Sequence, residues 1–188
     1  MQWNIPNILT SIRIVFIPVF AVIYYLPYHW TNFACAAIFA VAAITDWLDG
    51  YLARKMGLST RFGAFFDPVA DKLLVVFTLI LLVGTYQAAW FSIPAAIIVG
   101  REIAISALRE WMAEIGERAQ VAVSYIGKIK TTAQMISLLL LLYRDPIGFI
   151  PTEIIGLFLL YCAAALTLWS MIIYLKAAWP ILMRSDAN

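Results

Sequence analysis

Six long apolar stretches, separated by short polar turns, run through the 188-residue chain. A helix that crosses the hydrocarbon core of a bilayer needs about 20 mostly apolar residues. On that measure the pattern predicts helices over 8–26, 32–54, 64–84, 88–112, 124–143 and 152–177. Turn-forming residues punctuate them: Pro27, His29 and Asn32; Gly57, Ser59 and Gly63; Gly84 and Gln87; Asp145, Pro146 and Gly148. The connection from Glu114 to Ser124 is the longest and most charged. Asn7 and Thr10 precede the first long run, and a separate short interfacial helix over 4–10 is an alternative beginning.

Composition turns this pattern into a class. The chain is 64% hydrophobic and 13% charged, whereas soluble domains are nearer about 45–50% and 25%. An all-α integral membrane bundle of six transmembrane helices follows, as a single domain over 1–188. The net charge of +2 gives no support to nucleic-acid binding. Cys35 and Cys162 fall inside apolar runs and read as core or lipid-facing residues. The opening residues show neither a basic leader region nor a small-residue cleavage site, so the first helix is expected to stay as an anchor.

Orientation follows from the basic residues. With the N-terminus cytoplasmic, twelve of the thirteen Lys and Arg fall toward the cytoplasm and only Arg144 falls outside. Both termini are then cytoplasmic. Lys55, Arg61, Arg118, Lys130, Lys176 and Arg184 read as snorkelling or topology-setting charges. Arg101 does not, because it lies about three turns into an apolar helix, where a guanidinium faces a cavity or a partner. Arg109 is eight residues on, within about 80° of the same face. With Lys128 and Lys130 at the start of the fifth helix they form a candidate basic pocket, an alternative to snorkelling for Lys130.

Four aspartates carry the candidate chemistry. Asp46 and Asp49 are three apart, and Asp67 and Asp71 four apart, so each pair shares a helical face. An ionised carboxylate at the centre of a membrane helix costs about 2.5–3.5 kcal/mol on insertion scales. Four together point to a bound cation. Oxygen ligands without nearby His or Cys select Mg²⁺, Ca²⁺ or Mn²⁺ over zinc. A metal site beside a basic pocket suits phosphates. Gly50 and Gly63 permit close approach of a ligand or a neighbouring helix, Ala53 keeps the region small, and Arg54 offers a bidentate fork for phosphate oxygens. Asp67 before Pro68 also fits a helix N-cap, a structural alternative for that one acid.

Residues 46–71 match D-x2-D-G-x2-A-R-x8-G-x3-D-x3-D at every fixed position. This resembles the signature of the CDP-alcohol phosphatidyltransferases. The resemblance implies six transmembrane helices in a homodimer, two divalent cations (Mg²⁺ or Mn²⁺) and a CDP-linked lipid donor. By it, Asp46, Asp49 and Asp67 ligate metal, and Asp71 is the general base with a share in the metal site. Gly50, Ala53, Arg54 and Gly63 line the site of CDP-diacylglycerol, over which Asn7 and Thr10 close.

The segments 101–114 and 124–135 and the opening Asn-Ile-Pro-Asn-Ile-Leu-Thr-Ser-Ile-Arg13 are similar to those of bacterial members, mainly Gram-negative, whose acceptor is sn-glycerol 3-phosphate. That implies transfer of the phosphatidyl group to the primary hydroxyl, giving phosphatidylglycerophosphate and CMP. The expected site is the cytoplasmic face of the inner membrane. Arg101, Arg109 and Lys128 are the expected ligands of the acceptor phosphate. Inositol phosphate, serine or phosphatidylglycerol as acceptor are the near alternatives. A cation transporter would place its acids near the midplane, often in broken helices, whereas these lie toward one face. A purely structural bundle leaves the four acids without a compensating charge.

Overall fold

The computed structural model describes the backbone of residues 5–56, 61–114 and 125–183, and the side chains within them except at 5–11, 47, 49–56, 61–68, 71, 109, 113, 125–126, 128, 177 and 181–182. Among the described residues the regular structure is six α-helices: α1 (Ile5–Tyr24), α2 (Thr31–Met56), α3 (Arg61–Tyr86), α4 (Ala89–Glu114), α5 (Tyr125–Tyr143) and α6 (Thr152–Leu182). The all-α expectation holds, and the apolar runs mark the helices to within a few residues. Helical hydrogen bonds do not stop where hydrophobicity does, so the ends run past the apolar stretches. α1 is continuous from Ile5, so Asn7 and Thr10 lie in its first turns rather than in a separate helix. α3 already begins at Arg61, so Asp67 sits inside it and the N-cap alternative is excluded. The long connection 115–124 lies outside the described residues.

The helices are 19–31 residues long, or about 28–46 Å at 1.5 Å per residue. α3 is central and touches α1, α2, α4 and α5; α6 packs on α4 and α5. Phe20, Phe39, Leu74, Leu79, Leu82, Phe91, Ile98, Leu138 and Leu160 build one continuous core across the six helices. The most extensive contact is α5 on α6. There Gly156 lets the backbones close, because a Cβ on it would stand 2.9 Å from Leu141 Cγ. Ser137 Oγ donates to the Gly156 carbonyl at 2.7 Å in the same contact.

The outside is as apolar as the inside. Val15, Val22, Phe33, Ile44, Ile80, Ile93, Ile103, Phe158, Trp169 and Trp179 are exposed. Apolar patches of such extent are uncommon on soluble monomers and mark surfaces that meet lipid or protein. Ala89–Met112 and Thr152–Pro180 are long and apolar enough to cross a membrane, and the other four helices hold shorter apolar stretches. Cys35 and Cys162 are free thiols.

The α1–α2, α3–α4 and α5–α6 turns gather at one end, with aromatic residues. Tyr28 stacks on Trp30, and Tyr86 on Phe91 with centroids 4.5 Å apart. Arg144, at positive φ just beyond α5, donates to Tyr24 Oη at 2.7 Å and lies over the Tyr24 and Tyr86 rings. His29 lies in the exposed turn at this end.

Candidate active site

The α2–α3 connection spans only residues 57–60, and the two helices touch. It is too short to carry α3 to the far end of the bundle. The end of α2 that bears Asp46, Asp49, Gly50, Ala53 and Arg54 therefore adjoins the start of α3, which bears Gly63, Asp67 and Asp71. Along α2 the positions 46, 49, 50 and 53 recur at three- and four-residue steps, and along α3 the positions 63, 67 and 71 do so. Each set thus occupies one face of its helix. Of the four aspartate side chains only that of Asp46 is described. A metal-ligand group is accordingly not found among the described residues. The side chains of Asn7, Thr10, Gly63-flanking residues, Arg54, Arg109 and Lys128 also lie outside them.

Asp46 is held from α1. Arg13 Nη1 donates to its Oδ1 at 2.5 Å. Arg13 is 1% exposed and Asp46 35%. A guanidinium so buried is stable only with an anion to accept from it. The pair fixes α1 against α2 at the first acid of the motif. It also leaves the other oxygen of the carboxylate, which accepts through two, on a side chain that solvent reaches. Sequence reading counted Arg13 only as a charge that sets topology. Its pairing joins residues 33 apart, and no local signal marks it.

A second polar cluster lies between α3, α4, α5 and α6. Lys72, next after Asp71 in the chain, donates to Ser106 Oγ of α4. Ser106 Oγ in turn donates to the Glu102 carbonyl at 2.6 Å. Glu102 Oε1 accepts from Lys130 Nζ of α5 at 2.8 Å and from Arg101 Nη1 at 3.0 Å. Arg101 Nη2 reaches Ser170 Oγ of α6 at 3.3 Å, and its guanidinium lies over the Tyr174 ring. Its Nε is buried with no hydrogen-bond partner. Arg101 therefore has the partners its depth called for, and they come largely from α6.

Of the two readings of Lys130, snorkelling is overturned: it is 3% exposed and ion-paired inside the basic cluster. The packing of α5 against neighbouring helices turns its ammonium into the polar cluster, where a carboxylate pairs with it. Glu102, Ser106 and Lys72 had no assigned role. The legible signal was an acid adjacent to Arg101, deep in the same apolar helix.

Two comparisons decide what this arrangement belongs to. The profile of the CDP-alcohol phosphatidyltransferase family matches residues 3–169. The chain belongs to the CDP-alcohol phosphatidyltransferase family. Relatives agree over almost the full length of this phosphatidyltransferase. It is 56% identical over 178 residues to the CDP-diacylglycerol–glycerol-3-phosphate 3-phosphatidyltransferase of Escherichia coli K12, covering 95% of this chain and 96% of the relative. The protein of the same name from Shigella flexneri serotype 5b is also 56% identical over 178 residues, with the same coverage. As a CDP-alcohol phosphatidyltransferase, the chain carries the family's motif on the α2–α3 end described above, and the Lys72–Glu102–Lys130 cluster begins one residue beyond its last aspartate.

The residues present fit a divalent cation. The donor set is all carboxylate, the class that suits Mg²⁺ and Mn²⁺. Both acid pairs lie at the same end of two touching helices, and the one described carboxylate is not buried.

Proposed function

We propose that the protein is a membrane-embedded enzyme that transfers the phosphatidyl group of CDP-diacylglycerol to the primary hydroxyl of sn-glycerol 3-phosphate. The observation that carries this reading is 56% identity over 95% of the chain to proteins named for that reaction. In it the six helices span the inner membrane, both termini are cytoplasmic, and the working unit is a homodimer. The apolar exterior supports the spans. The aromatic end around Arg144 supports one membrane interface there, and the twelve Lys and Arg that the sequence puts toward the other end support the cytoplasmic orientation.

Asp46, Asp49, Asp67 and Asp71 would hold two Mg²⁺ or Mn²⁺ ions, which when bound supply neutralising charge for the pyrophosphate. Asn7, Thr10, Gly50, Ala53, Arg54 and Gly63 bind the CDP-diacylglycerol donor. Arg101, Arg109 and Lys128 receive the acceptor phosphate, and the Glu102–Lys130 pair beside Arg101 supports a basic site there. Asp71 accepts the proton of the attacking hydroxyl. The new bond forms between that oxygen and the lipid-side phosphorus, the pyrophosphate P–O bond breaks, and CMP leaves with the bonding electrons.

An acceptor panel tests the reading. Purified protein with CDP-diacylglycerol is offered glycerol 3-phosphate, inositol phosphate, serine or phosphatidylglycerol, and released CMP is measured. Release with glycerol 3-phosphate alone is expected; release with another alcohol and not with this one would overturn the assignment.

A further inference from the structure

Glu102 is the one described carboxylate that accepts from two cations. It lies in α4 between Lys130 of α5, at 2.8 Å, and Arg101, at 3.0 Å. One turn further, Ser106 ties the Glu102 carbonyl to Lys72 of α3. Through Arg101 the same turn of α4 reaches Ser170 and Tyr174 of α6. Residues 101–106 therefore clamp three neighbouring helices, and each is gripped through a cationic side chain.

Long cationic side chains lose rotamer freedom when they bind an anion, and holding them in place beforehand reduces that loss. Arg101 and Lys130 are held in this way, since charge-assisted hydrogen bonds to a fixed carboxylate are about twice as strong as neutral ones. We propose that Glu102 is a positioning residue for the acceptor phosphate. It touches neither substrate, and it acts by holding the Arg101 guanidinium and the Lys130 ammonium where a phosphate monoester is received. The proposal rests on the functional reading above.

The sign of the effect separates positioning from simple charge competition. If Glu102 only neutralised its two cations, removing its charge would tighten phosphate binding. If it positions them, removing its charge weakens binding. The test is steady-state CMP release by the purified full-length protein in detergent, with each substrate varied at saturating levels of the other. Inorganic phosphate serves as a competing anion. Glu102→Gln keeps the shape and loses the charge. The expected result is a KM for glycerol 3-phosphate raised about tenfold, an inhibition constant for phosphate raised in parallel, and a KM for CDP-diacylglycerol unchanged. Lys130→Met should show the same pattern. The double variant should be little worse than either single one, because the two act as a unit.

An acceptor KM that is unchanged or lower, or acceptor and donor KM values that rise together, would overturn the proposal. Should Glu102→Gln not fold, Glu102→Asp takes its place. It retains the charge on a shorter arm, so a selective but smaller rise in acceptor KM is expected, and no rise overturns the proposal. Wild-type protein that releases no CMP with glycerol 3-phosphate would remove the functional reading and this proposal together. Wild-type turnover with an unaltered acceptor KM in the variant removes the proposal alone.

Discussion

The Arg13–Asp46 pair predicts an asymmetry between two substitutions that break the same contact. Arg13 is 1% exposed and Asp46 35%. Asp46→Asn removes the carboxylate charge at one contact of a guanidinium that water cannot reach and that keeps its other interactions. Breaking a buried pair in this sense costs about 3–5 kcal/mol. The carboxamide oxygen still accepts a hydrogen bond and the other interactions of Arg13 persist, which together place the cost near the lower figure. Arg13→Met removes the buried charge itself and keeps a long unbranched side chain in its place. The carboxylate left behind is one that solvent reaches, so the loss is about 1 kcal/mol or less. For a chain of this size each kcal/mol moves the midpoint by about 2–4 °C. Thermal unfolding in detergent, with chelator present so that no metal contributes, should lower Tm by about 6–12 °C for Asp46→Asn and by less than about 4 °C for Arg13→Met. The double variant should sit close to Arg13→Met. Equal losses for the two single variants, or strict additivity in the double, would refute the reasoning that burial of the cation dominates this contact.

Asp71→Asn should keep CDP-diacylglycerol binding and lose about 10²–10⁴-fold in turnover, the usual effect of removing a general base; near-normal turnover rejects that role. At the α5–α6 contact, Gly156→Leu should destabilise strongly, since its first side-chain carbon alone would meet Leu141 Cγ at 2.9 Å and Leu140 Cβ at 3.2 Å. Gly156→Ala sets a gain in helix propensity of about 1 kcal/mol against overpacking of about 1–3 kcal/mol. A net loss of about 1 kcal/mol is therefore expected in the same melts.

The six helices were legible because each must be apolar over most of its length, and a long apolar run has few other readings. The alternative for Asp67 went astray because the Asp-Pro pair is a local cap signal, whereas α3 starts at Arg61, directly after Ser59 and Thr60, residue types that favour helix starts equally well. The depth of Arg101 was legible for the same reason as the helices: a charge inside an apolar run must have company. The identity of that company was not. Glu102–Lys130 joins residues 28 apart, Lys72–Ser106 residues 34 apart and Arg101–Ser170 residues 69 apart. Hydrophobic periodicity fixes which residues share a helix, not which helices meet. The snorkelling reading of Lys130 failed for a related reason, since position near a helix start suggests an exposed ammonium, and only the packing of α5 buries it. The aspartate motif lies at the other extreme. Its spacing alone places two acid pairs on two faces, and the short 57–60 connection brings those faces to one end of the bundle.

In the proposed function this aspartate end, with the basic cluster beside it, moves a phosphatidyl group onto glycerol 3-phosphate. The most direct measurement is CMP release by the purified protein from CDP-diacylglycerol and glycerol 3-phosphate, run with and without chelator. Release should require the acceptor, stop on chelation and return when Mg²⁺ or Mn²⁺ is restored. Release that persists in chelator, or none with this acceptor when metal is supplied, would contradict the proposed function.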